Sequence, residues 1–286
     1  MLQKSTIILL RIPFSFFLMP VFFFALSQVP TIDWVRAVLV FVILHFLLYP
    51  SSNGYNSYMD RDEASIGLLE KPPRPTKELF YLTIVMDMTA ILLSLLVNKI
   101  FAACITANIA ASHAYSYRGI RLKKYPVAGF LTVILFQGAL TYFMVYHGSN
   151  AGHTGVPWNG MLISTMLFGG FYPLTQIYQH QQDLADGVQT ISYKLGVIGT
   201  FVFSGLMYLS AEAALFFYFR KAGMSQFYLL QLFFIPIIVY FMVWLRKVLM
   251  NKLNADFRHA MRMNIIAALS TNIAFILMLA MNHIEK

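Results

Sequence analysis

Long, uninterrupted apolar runs are the feature that most restricts how this chain can fold. Each run extends for about 20 residues, the length that an α-helix needs to cross the hydrocarbon core of a bilayer. Lipid offers the backbone no hydrogen-bonding partner, so a spanning segment must be a helix or a strand of a closed barrel. The runs lack the alternation that a barrel strand shows over about 10 residues. The sequence therefore predicts an all-α, polytopic membrane protein.

About nine runs have the length of a transmembrane helix. We place these helices at 7–28, 34–52, 79–97, 100–117, 127–146, 160–178, 197–219, 227–249 and 262–282. Very short links at 29–33 and 98–99 predict that the helices they join are antiparallel neighbours. No hydrophilic domain interrupts the pattern, so we expect a single transmembrane domain over residues 1–286. The first run lacks a small-residue cleavage site after it and is expected to be retained as a helix.

The placement of lysine and arginine predicts the orientation of the chain. All but five of the 21 Lys and Arg residues fall on the side of the N-terminus, the exceptions being Arg36, Lys99, Arg220, Lys221 and Lys286. The positive-inside rule makes that side cytoplasmic, so we expect a multi-pass protein of the inner or plasma membrane. This asymmetry and anionic lipid headgroups explain much of the net charge of +9, which therefore gives no reason to expect a nucleic-acid partner.

Acidic residues concentrate in two loops on the same basic face. The first loop follows the second predicted helix and contains Asn56, Asp60, Asp62 and Glu63. If the helix continues, Asn56, Asp60 and Glu63 share one of its faces. Oxygen ligands of this kind suit Mg²⁺, which takes one or two carboxylates and fills its shell with water and phosphate oxygens. The alternative is a solvated acidic turn that caps the helix.

The second acidic loop follows the sixth predicted helix and has the same spacing. Gln179 and Asp183 are four residues apart, and so are Gln182 and Asp186. An amide followed four residues later by a carboxylate is common by chance, so the spacing alone is a weak signal. Two acidic loops at helix ends on one face can nevertheless meet at a common pocket.

A basic loop after the fourth predicted helix lies on the same face. It follows Tyr115 and carries four cations, Arg118, Arg121, Lys123 and Lys124. Beside two acidic loops, such a cluster can clamp a diphosphate while Mg²⁺ bridges the diphosphate to carboxylates. The alternative is that these cations only anchor the loop on the cytoplasmic side.

Together the three loops resemble those of the UbiA superfamily of intramembrane prenyltransferases, which have nine helices. The family carries Asn-x-x-x-Asp-x-x-x-Asp after helix two and Asp-x-x-x-Asp after helix six. In this chain, residues 56–64 stand at the first place and residues 179–183 at the second. Arg74 with the proline after it, the segment 115–124 and the segment 190–196 are similar to further stretches of the family. The resemblance covers nearly the whole chain.

Two positions depart from the family pattern. Ala64 replaces the last Asp of the first motif, and Gln179 replaces the first Asp of the second. Asp62 or Glu63 would then supply the missing carboxylate. Gln179 can hydrogen-bond but carries no charge, so diphosphate binding would rely more on the basic loop.

The resemblance implies Mg²⁺-dependent transfer of an isoprenyl group from a prenyl diphosphate to a lipophilic acceptor within the lipid membrane, such as an aromatic quinone precursor. It implies two catalytic residues, Asp60 and Asp183. The metal ligands would come from the acidic side chains Asp60, Asp62, Glu63, Asp183 and Asp186. The residues that bind diphosphate would be Asn56, Arg74, Tyr115, Arg118, Lys123, Lys124 and Gln179.

Two alternatives remain open. Asp87 and Glu212 fall near the middle of predicted helices three and seven, where an acidic side chain is costly and is a functional candidate by default. An ion-coupled transporter would use them as ion or proton sites, whereas a structural role would pair them with a polar partner such as Asn108. Ala64 and Gln179 favour the second alternative, a non-catalytic or cyclase-like relative of the UbiA enzymes.

Overall fold

Helices make up the fold of this chain, as the computed structural model shows for residues 2–152 and 154–284. No strand occurs within these residues, and two isolated bridges join Ile32 to Asn150 and Ile66 to Leu69. The predicted all-α fold is confirmed. Lys286, which the sequence pattern assigns to the side opposite the N-terminus, lies outside the described residues.

The α-helices are numbered in chain order. The first eight are α1 (Lys4–Leu9), α2 (Met19–Ser27), α3 (Trp34–Val42), α4 (Tyr49–Asp60), α5 (Lys77–Ser94), α6 (Lys99–Ser116), α7 (Pro126–Ile134) and α8 (Thr141–Ser149). The remaining five are α9 (Trp158–Phe171), α10 (His180–Ala185), α11 (Ile191–Ala222), α12 (Met224–Met250) and α13 (Phe257–Ile284).

Several continuous helical segments have the length and composition of membrane spans. Among the described residues five qualify, namely Trp34–Asp60, Pro126–Ser149, Ile191–Lys221, Met224–Met250 and Phe257–His283. A sixth is obtained if Lys4–Phe17 and Met19–Ser27, bent by 41° at their junction, form one span. The protein is therefore an integral membrane protein. Each of the nine predicted runs coincides with helical structure, but nine membrane crossings stay a prediction.

The first predicted helix is broken, so the prediction of one continuous helix at 7–28 is wrong. A short 3₁₀ helix, Ile12–Phe17, separates α1 from α2. Pro13 and Pro20 lie at the starts of the 3₁₀ helix and of α2, where a missing backbone N–H is tolerated but a continuous helix is not. The bend directs α1 towards α4 and α5, while α2 packs against α8 and α13.

Irregular helical turns also interrupt three of the other predicted helices. A 3₁₀ helix occupies Tyr172–Gln179, and two π-helices occupy Ile43–Leu48 and Leu135–Leu140. Such turns displace side chains from regular α-helical positions and are frequent at functional sites. Within a membrane they are tolerated only where protein or a cavity surrounds them. Tyr172–Gln179 and Leu135–Leu140 contribute side chains to the polar cavity described below, and Ile43–Leu48 does not.

Asp87 is buried between three helices and has polar partners on two of them. Its Oδ1 atom accepts a hydrogen bond of 2.6 Å from Ser51 Oγ on α4, and its Oδ2 atom lies 2.9 Å from His113 Nε2 on α6. The His113 ring stacks on Tyr55, with 3.9 Å between the ring centroids. Among the described residues, no hydrogen bond joins the predicted partner Asn108 to the Asp87 carboxylate. Asp87 therefore ties α5 to α4 and α6.

Replacing Asp87 by Ala is expected to lower the free energy of unfolding by about 3 kcal/mol. Removing one partner of a buried pair leaves the other polar groups, here on Ser51 and His113, without compensation. Thermal unfolding of the detergent-purified protein measures the effect. Thr89→Val on the same helix is the control, because the Thr89 hydroxyl bonds only the carbonyl of Val85. Equal melting temperatures for the two variants would contradict the expectation.

Candidate active site

A polar cavity of about 240 Å³ lies among α4, α6, α13 and the irregular turns of the other spans. The loops after α4, α6 and the 3₁₀ helix Tyr172–Gln179 all contribute side chains to its wall. The predicted site residues in the wall are Asn56, Asp60, Asp62, Tyr115, Lys123, Gln179 and Asp183. The structure thus brings together the two acidic loops and the basic loop.

Asp60 is the most extensively paired carboxylate of this cavity. Its side chain is only 4% exposed, and its Oδ2 atom accepts hydrogen bonds from Lys123 Nζ and, at 2.7 Å, from Asn56 Nδ2. Its Oδ1 atom lies 3.6 Å from Arg121 Nη2. Asn56 and Asp60 are one turn apart on α4, so the shared face that their spacing predicts is real.

The end of α4 decides which acidic residue joins Asp60. The helix ends at Asp60, and Arg61 adopts a left-handed conformation with φ 56° and ψ 42°. The chain turns there, and Asp62 lies in the cavity wall, where it accepts a hydrogen bond from Gln182 Nε2. The shared face predicted for Glu63 required a continuing helix and does not form. The sequence left open whether Asp62 or Glu63 supplies the carboxylate missing at Ala64. Of these two residues, it is Asp62 that lines the cavity.

Glu63, Arg74 and Lys124 are not brought to the cavity. Arg74 Nη2 lies 3.4 Å from Glu63 Oε1, but the two side chains are 91% and 81% exposed. Such a surface pair contributes little to stability. The ammonium group of Lys124 lies 4.9 Å from the centroid of the Tyr125 ring. The structure gives no support to a metal-binding role for Glu63 or a diphosphate-binding role for Arg74 and Lys124.

Asp186 and Arg118 form a clamp outside the cavity wall. The Asp186 carboxylate pairs with Arg121 and lies 3.5 Å from Arg118 Nη1. Arg118 also donates to the backbone oxygen of Met59 at 2.8 Å and to that of Asp60 at 3.4 Å. The Asp186 carboxylate therefore points towards Arg118 and Arg121, whereas a metal ligand would point into the cavity. Arg118 links the loop after α6 to the end of α4.

Tyr115 and Gln179 line the cavity and are fixed by neighbouring groups. The Tyr115 hydroxyl hydrogen-bonds the hydroxyl of Tyr172, which in turn accepts from Gln176 Nε2 at 2.9 Å. Gln179 Nε2 donates to the backbone oxygen of Ser65 at 3.2 Å. Gln179 thus joins the second acidic loop to the first through this hydrogen bond.

The carboxyl groups of Asp62 and Asp183 have raised pKa values, chiefly because they are buried. Burial raises the pKa of Asp62 to about 6, and the neighbouring Asp60 carboxylate adds to the rise. Burial also raises the pKa of Asp183 to about 7, and although Lys123 opposes the rise, Asp62 and Asp60 reinforce it. Carboxylates gathered in this way favour the binding of a cation, which would lower both pKa values.

The donor set fits Mg²⁺ better than a metal held by protein alone. In the part of the chain that the structure describes, no three His, Cys, Asp or Glu side chains are close enough to hold a metal ion. Mg²⁺ needs no such group, because it binds through one or two carboxylates and keeps water or phosphate oxygens as its other ligands. Asp60, Asp62 and Asp183 are the carboxylates that the cavity offers.

Arg11 lines the cavity, although the sequence analysis used it only as one of the positive charges that predict the orientation of the chain. It follows α1 in a left-handed conformation with φ 46°, and its side chain is buried. Its Nη2 atom donates to the backbone oxygen of Asn53 at 3.2 Å, and its Nε atom has no hydrogen-bond partner among the described residues. A buried guanidinium with an unused donor suits an anion. The available signal was a charge within an apolar run, two residues before Pro13.

For the prenyl diphosphate that the resemblance implies as substrate, Asp62→Asn is expected to lower turnover by about tenfold, about 1.4 kcal/mol in the barrier. Glu63→Gln is expected to leave turnover near the wild-type value. The reason is position, since Asp62 lines the cavity and Glu63 is exposed beside Arg74. Diphosphate release at saturating Mg²⁺ compares the two variants. A larger loss of turnover in Glu63→Gln than in Asp62→Asn would contradict this expectation. It would favour the prediction that Glu63 shares a helix face with Asn56 and Asp60.

The fold and this site define a class of helical membrane proteins. In this class, carboxylates and cations line one cavity within the helical bundle. The model of the UbiA prenyltransferase family matches residues 16–266, so the chain belongs to this family. No curated protein matches the chain.

Solved structures of other proteins share the fold. A UbiA homolog from Archaeoglobus fulgidus bound to DMAPP and Mg²⁺ has a TM-score of 0.70 and 18% identity, covering 97% of this chain and 99% of that chain. The structure of this homolog bound to GPP and Mg²⁺ has a TM-score of 0.67 and 18% identity, with 97% and 100% covered. A digeranylgeranylglyceryl phosphate synthase structure has a TM-score of 0.65 and 18% identity, with 96% and 98% covered.

Proposed function

We propose that the protein is a Mg²⁺-dependent prenyltransferase, which moves an isoprenyl group from a prenyl diphosphate to a lipophilic acceptor in the membrane. The observation that carries the proposal is the cavity in which Asp60, Asp62 and Asp183 meet Lys123 and Arg11. Membership of the UbiA prenyltransferase family supports it, as do similar folds solved with DMAPP or GPP and Mg²⁺. We propose that residues 1–286 act as one domain.

The charged end of the cavity would hold the diphosphate. One or two of the carboxylates Asp60, Asp62 and Asp183 would hold Mg²⁺, with phosphate oxygens and water as its other ligands. When bound, Mg²⁺ neutralises charge on the leaving diphosphate. Lys123 and Arg11 would add positive charge from the protein itself, in a buried site where each charge has a stronger effect than in water. Asn56 is already oriented by its bonds to Asp60 and Ser116.

An apolar chamber of about 270 Å³ would take the isoprenyl tail. It lies between α2, α9, α11, α12 and α13, and its wall consists almost entirely of apolar side chains. Phe14 belongs to the polar cavity and Phe17 to the apolar chamber, and their rings are in edge-to-face contact with 5.3 Å between centroids. The two spaces are therefore close neighbours, as a substrate with a charged head and an apolar tail requires.

The reaction breaks the bond between the first prenyl carbon and the diphosphate oxygen, and the electron pair leaves with the diphosphate. A new bond forms between that carbon and a nucleophilic atom of the acceptor, which loses a proton. The protein would orient the two reactants and exclude water, because the cavity is enclosed by helices on the sides that lie in the membrane. We propose that the loop end faces the cytoplasm of a cell with an inner or plasma membrane.

The contacts of Asp87 and Glu212 weigh against an ion-coupled transporter. Asp87 is paired with Ser51 and His113 between helices. Glu212 lines the separate apolar chamber and accepts a hydrogen bond of 2.6 Å from Gln231. The two acids thus belong to different parts of the bundle and do not form a shared ion path. The position of Asp62 supports a catalytic protein over a non-catalytic relative, because this residue adds a third carboxylate to the cavity lining.

The test is release of diphosphate from prenyl diphosphates of several chain lengths by the detergent-purified protein, with Mg²⁺ or with EDTA. Acceptors are supplied as membrane lipid extracts, and products are identified by mass spectrometry. We expect release that requires Mg²⁺ and is lost in Asp183→Asn, with a product whose mass identifies the acceptor. No Mg²⁺-dependent release, together with no Mg²⁺-dependent binding of any prenyl diphosphate, would exclude the proposal in favour of the non-catalytic alternative.

A further inference from the structure

Neutral amide side chains line part of the polar cavity and have no role in the function proposed above. Four elements supply them, with Asn108 on α6, Gln137 on the π-helix Leu135–Leu140, Gln176 on the 3₁₀ helix Tyr172–Gln179 and Asn264 on α13. Amides from four separate segments meeting at one cavity are not explained by the packing of any single pair of helices.

Several polar atoms of these amides lack partners among the described residues. The unpartnered atoms are Asn108 Nδ2, Gln137 Oε1, Gln176 Oε1 and both polar side-chain atoms of Asn264. Asn108 is 2% exposed, Asn264 is 1% exposed and Gln176 is 7% exposed. Leaving a buried polar group unsatisfied costs about 1–3 kcal/mol, so a hydrogen-bonding ligand would gain by pairing with them.

Asn108 and Asn264 lie farther along their helices from the loop end than Asp60 does. Asn108 precedes the end of α6 at Ser116 by eight residues, about 12 Å along a helix. Asn264 follows the start of α13 at Phe257 by seven residues, about 10 Å. In contrast, Asp60 is the last residue of α4.

The cations of the cavity lining are Arg11 and Lys123. Arg11 donates to the backbone oxygen of Asn53 on α4, the helix that ends at Asp60, and Asp60 and Asp62 line the same cavity. The other charged lining residues, Lys123 and Asp183, lie in the loop region. Within the lining that the structure describes, neither Arg11 nor Lys123 hydrogen-bonds Asn108, Gln137 or Asn264.

The backbone holds Gln137 firmly in the wall. A Cβ atom added at Gly138 would lie 2.7 Å from Thr165 Cα, so the π-helix and α9 are in backbone contact there. The Thr141 hydroxyl donates to the Phe136 carbonyl at 3.0 Å, five residues back, which closes the wide turn. π-turns of this kind are frequent at functional sites.

We propose that Asn108, Gln137 and Asn264 bind the headgroup of an uncharged acceptor, one that carries hydroxyl groups and no carboxylate or phosphate. This inference rests on the proposed transferase function, since it assigns the second substrate of that site. An amide donates and accepts, so it can pair with a hydroxyl in either role. An anionic headgroup would instead bury a charge without a counter-ion, which is strongly unfavourable.

The test is equilibrium binding of two matched probes under reducing conditions, the neutral 1,4-dihydroxynaphthalene and its 2-carboxylate. Binding is measured for the wild type, Asn108→Leu and Gln137→Leu, and Thr106→Val is the control because Thr106 is an exposed polar residue on the same helix as Asn108. Mg²⁺-dependent binding of geranyl diphosphate is measured in parallel. We expect the neutral probe to bind more tightly than the carboxylate and to lose at least about tenfold in both Leu variants, with geranyl diphosphate binding unchanged.

Each outcome decides one of the two proposals. Tighter binding of the carboxylate, or equal binding of the neutral probe by the Leu variants and the control, would overturn the inference. Amide-dependent binding of the neutral probe without any binding of geranyl diphosphate would overturn the proposed function and leave the amide site standing. If Asn108→Leu fails to fold, Gln137→Leu decides the question, because the Gln137 side chain is less deeply buried.

Discussion

Asp60→Asn is expected to reduce turnover of a prenyl diphosphate by about 10³-fold while the protein remains folded. The change keeps the shape of the side chain but removes the charge that Lys123 and Arg121 approach on opposite oxygens. It also removes one of the three carboxylates available to Mg²⁺. Steady-state release of diphosphate from geranyl diphosphate at saturating Mg²⁺ measures the loss.

The matched control for Asp60→Asn is Glu70→Gln. Glu70 forms a surface pair with Arg258 at 3.6 Å, and its side chain is 62% exposed. We expect a rate within about twofold of the wild type, because exposed ion pairs contribute little. Thermal unfolding of both variants checks that the bundle is intact. A wild-type rate in Asp60→Asn would remove the central residue of the proposed site.

Arg11→Gln is expected to lower kcat/KM for the prenyl diphosphate by about 100-fold, about 2.7 kcal/mol, chiefly through KM. Arg11 is buried in the cavity wall and keeps an unused donor on Nε, so its charge is available to a bound anion. The guanidinium also donates to the Asn53 carbonyl, a neutral contact that Gln can partly replace. The measurement is the KM for geranyl diphosphate and, separately, that for the acceptor.

Lys4→Gln is the control for Arg11→Gln. Lys4 is an exposed cation at the start of α1, the helix that ends just before Arg11. We expect no change in either KM. If Arg11→Gln altered the KM of the acceptor and not that of the diphosphate, Arg11 would belong to the acceptor site instead.

Much of the fold was predictable because membrane spans are set by length and apolarity alone. The helical class and the position of each apolar run follow from lipid that cannot satisfy backbone groups. The broken first helix needed a finer signal, the two prolines at positions 13 and 20. The sequence expectation did not include the π-turns at Ile43–Leu48 and Leu135–Leu140.

The site was predictable where it depends on spacing within one helix and less so elsewhere. Asn56 and Asp60 are one turn apart, and α4 places both in the cavity. Glu63 was placed on the same face only because the left-handed turn at Arg61 could not be foreseen. Arg11 reaches the cavity through a contact with Asn53, 42 residues along the chain, which no spacing rule predicts.

The ion pairs between the loops also set an order of assembly during biogenesis. Lys123 reaches back 63 residues to Asp60, and Arg121 reaches forward 65 residues to Asp186. A chain that leaves the ribosome N-terminus first can form the earlier pair while the later one is still being synthesised. The charged end of the cavity is therefore completed only after α10 has emerged. Nascent chains stalled before that point would contain Asp60 and Lys123 but not a closed site.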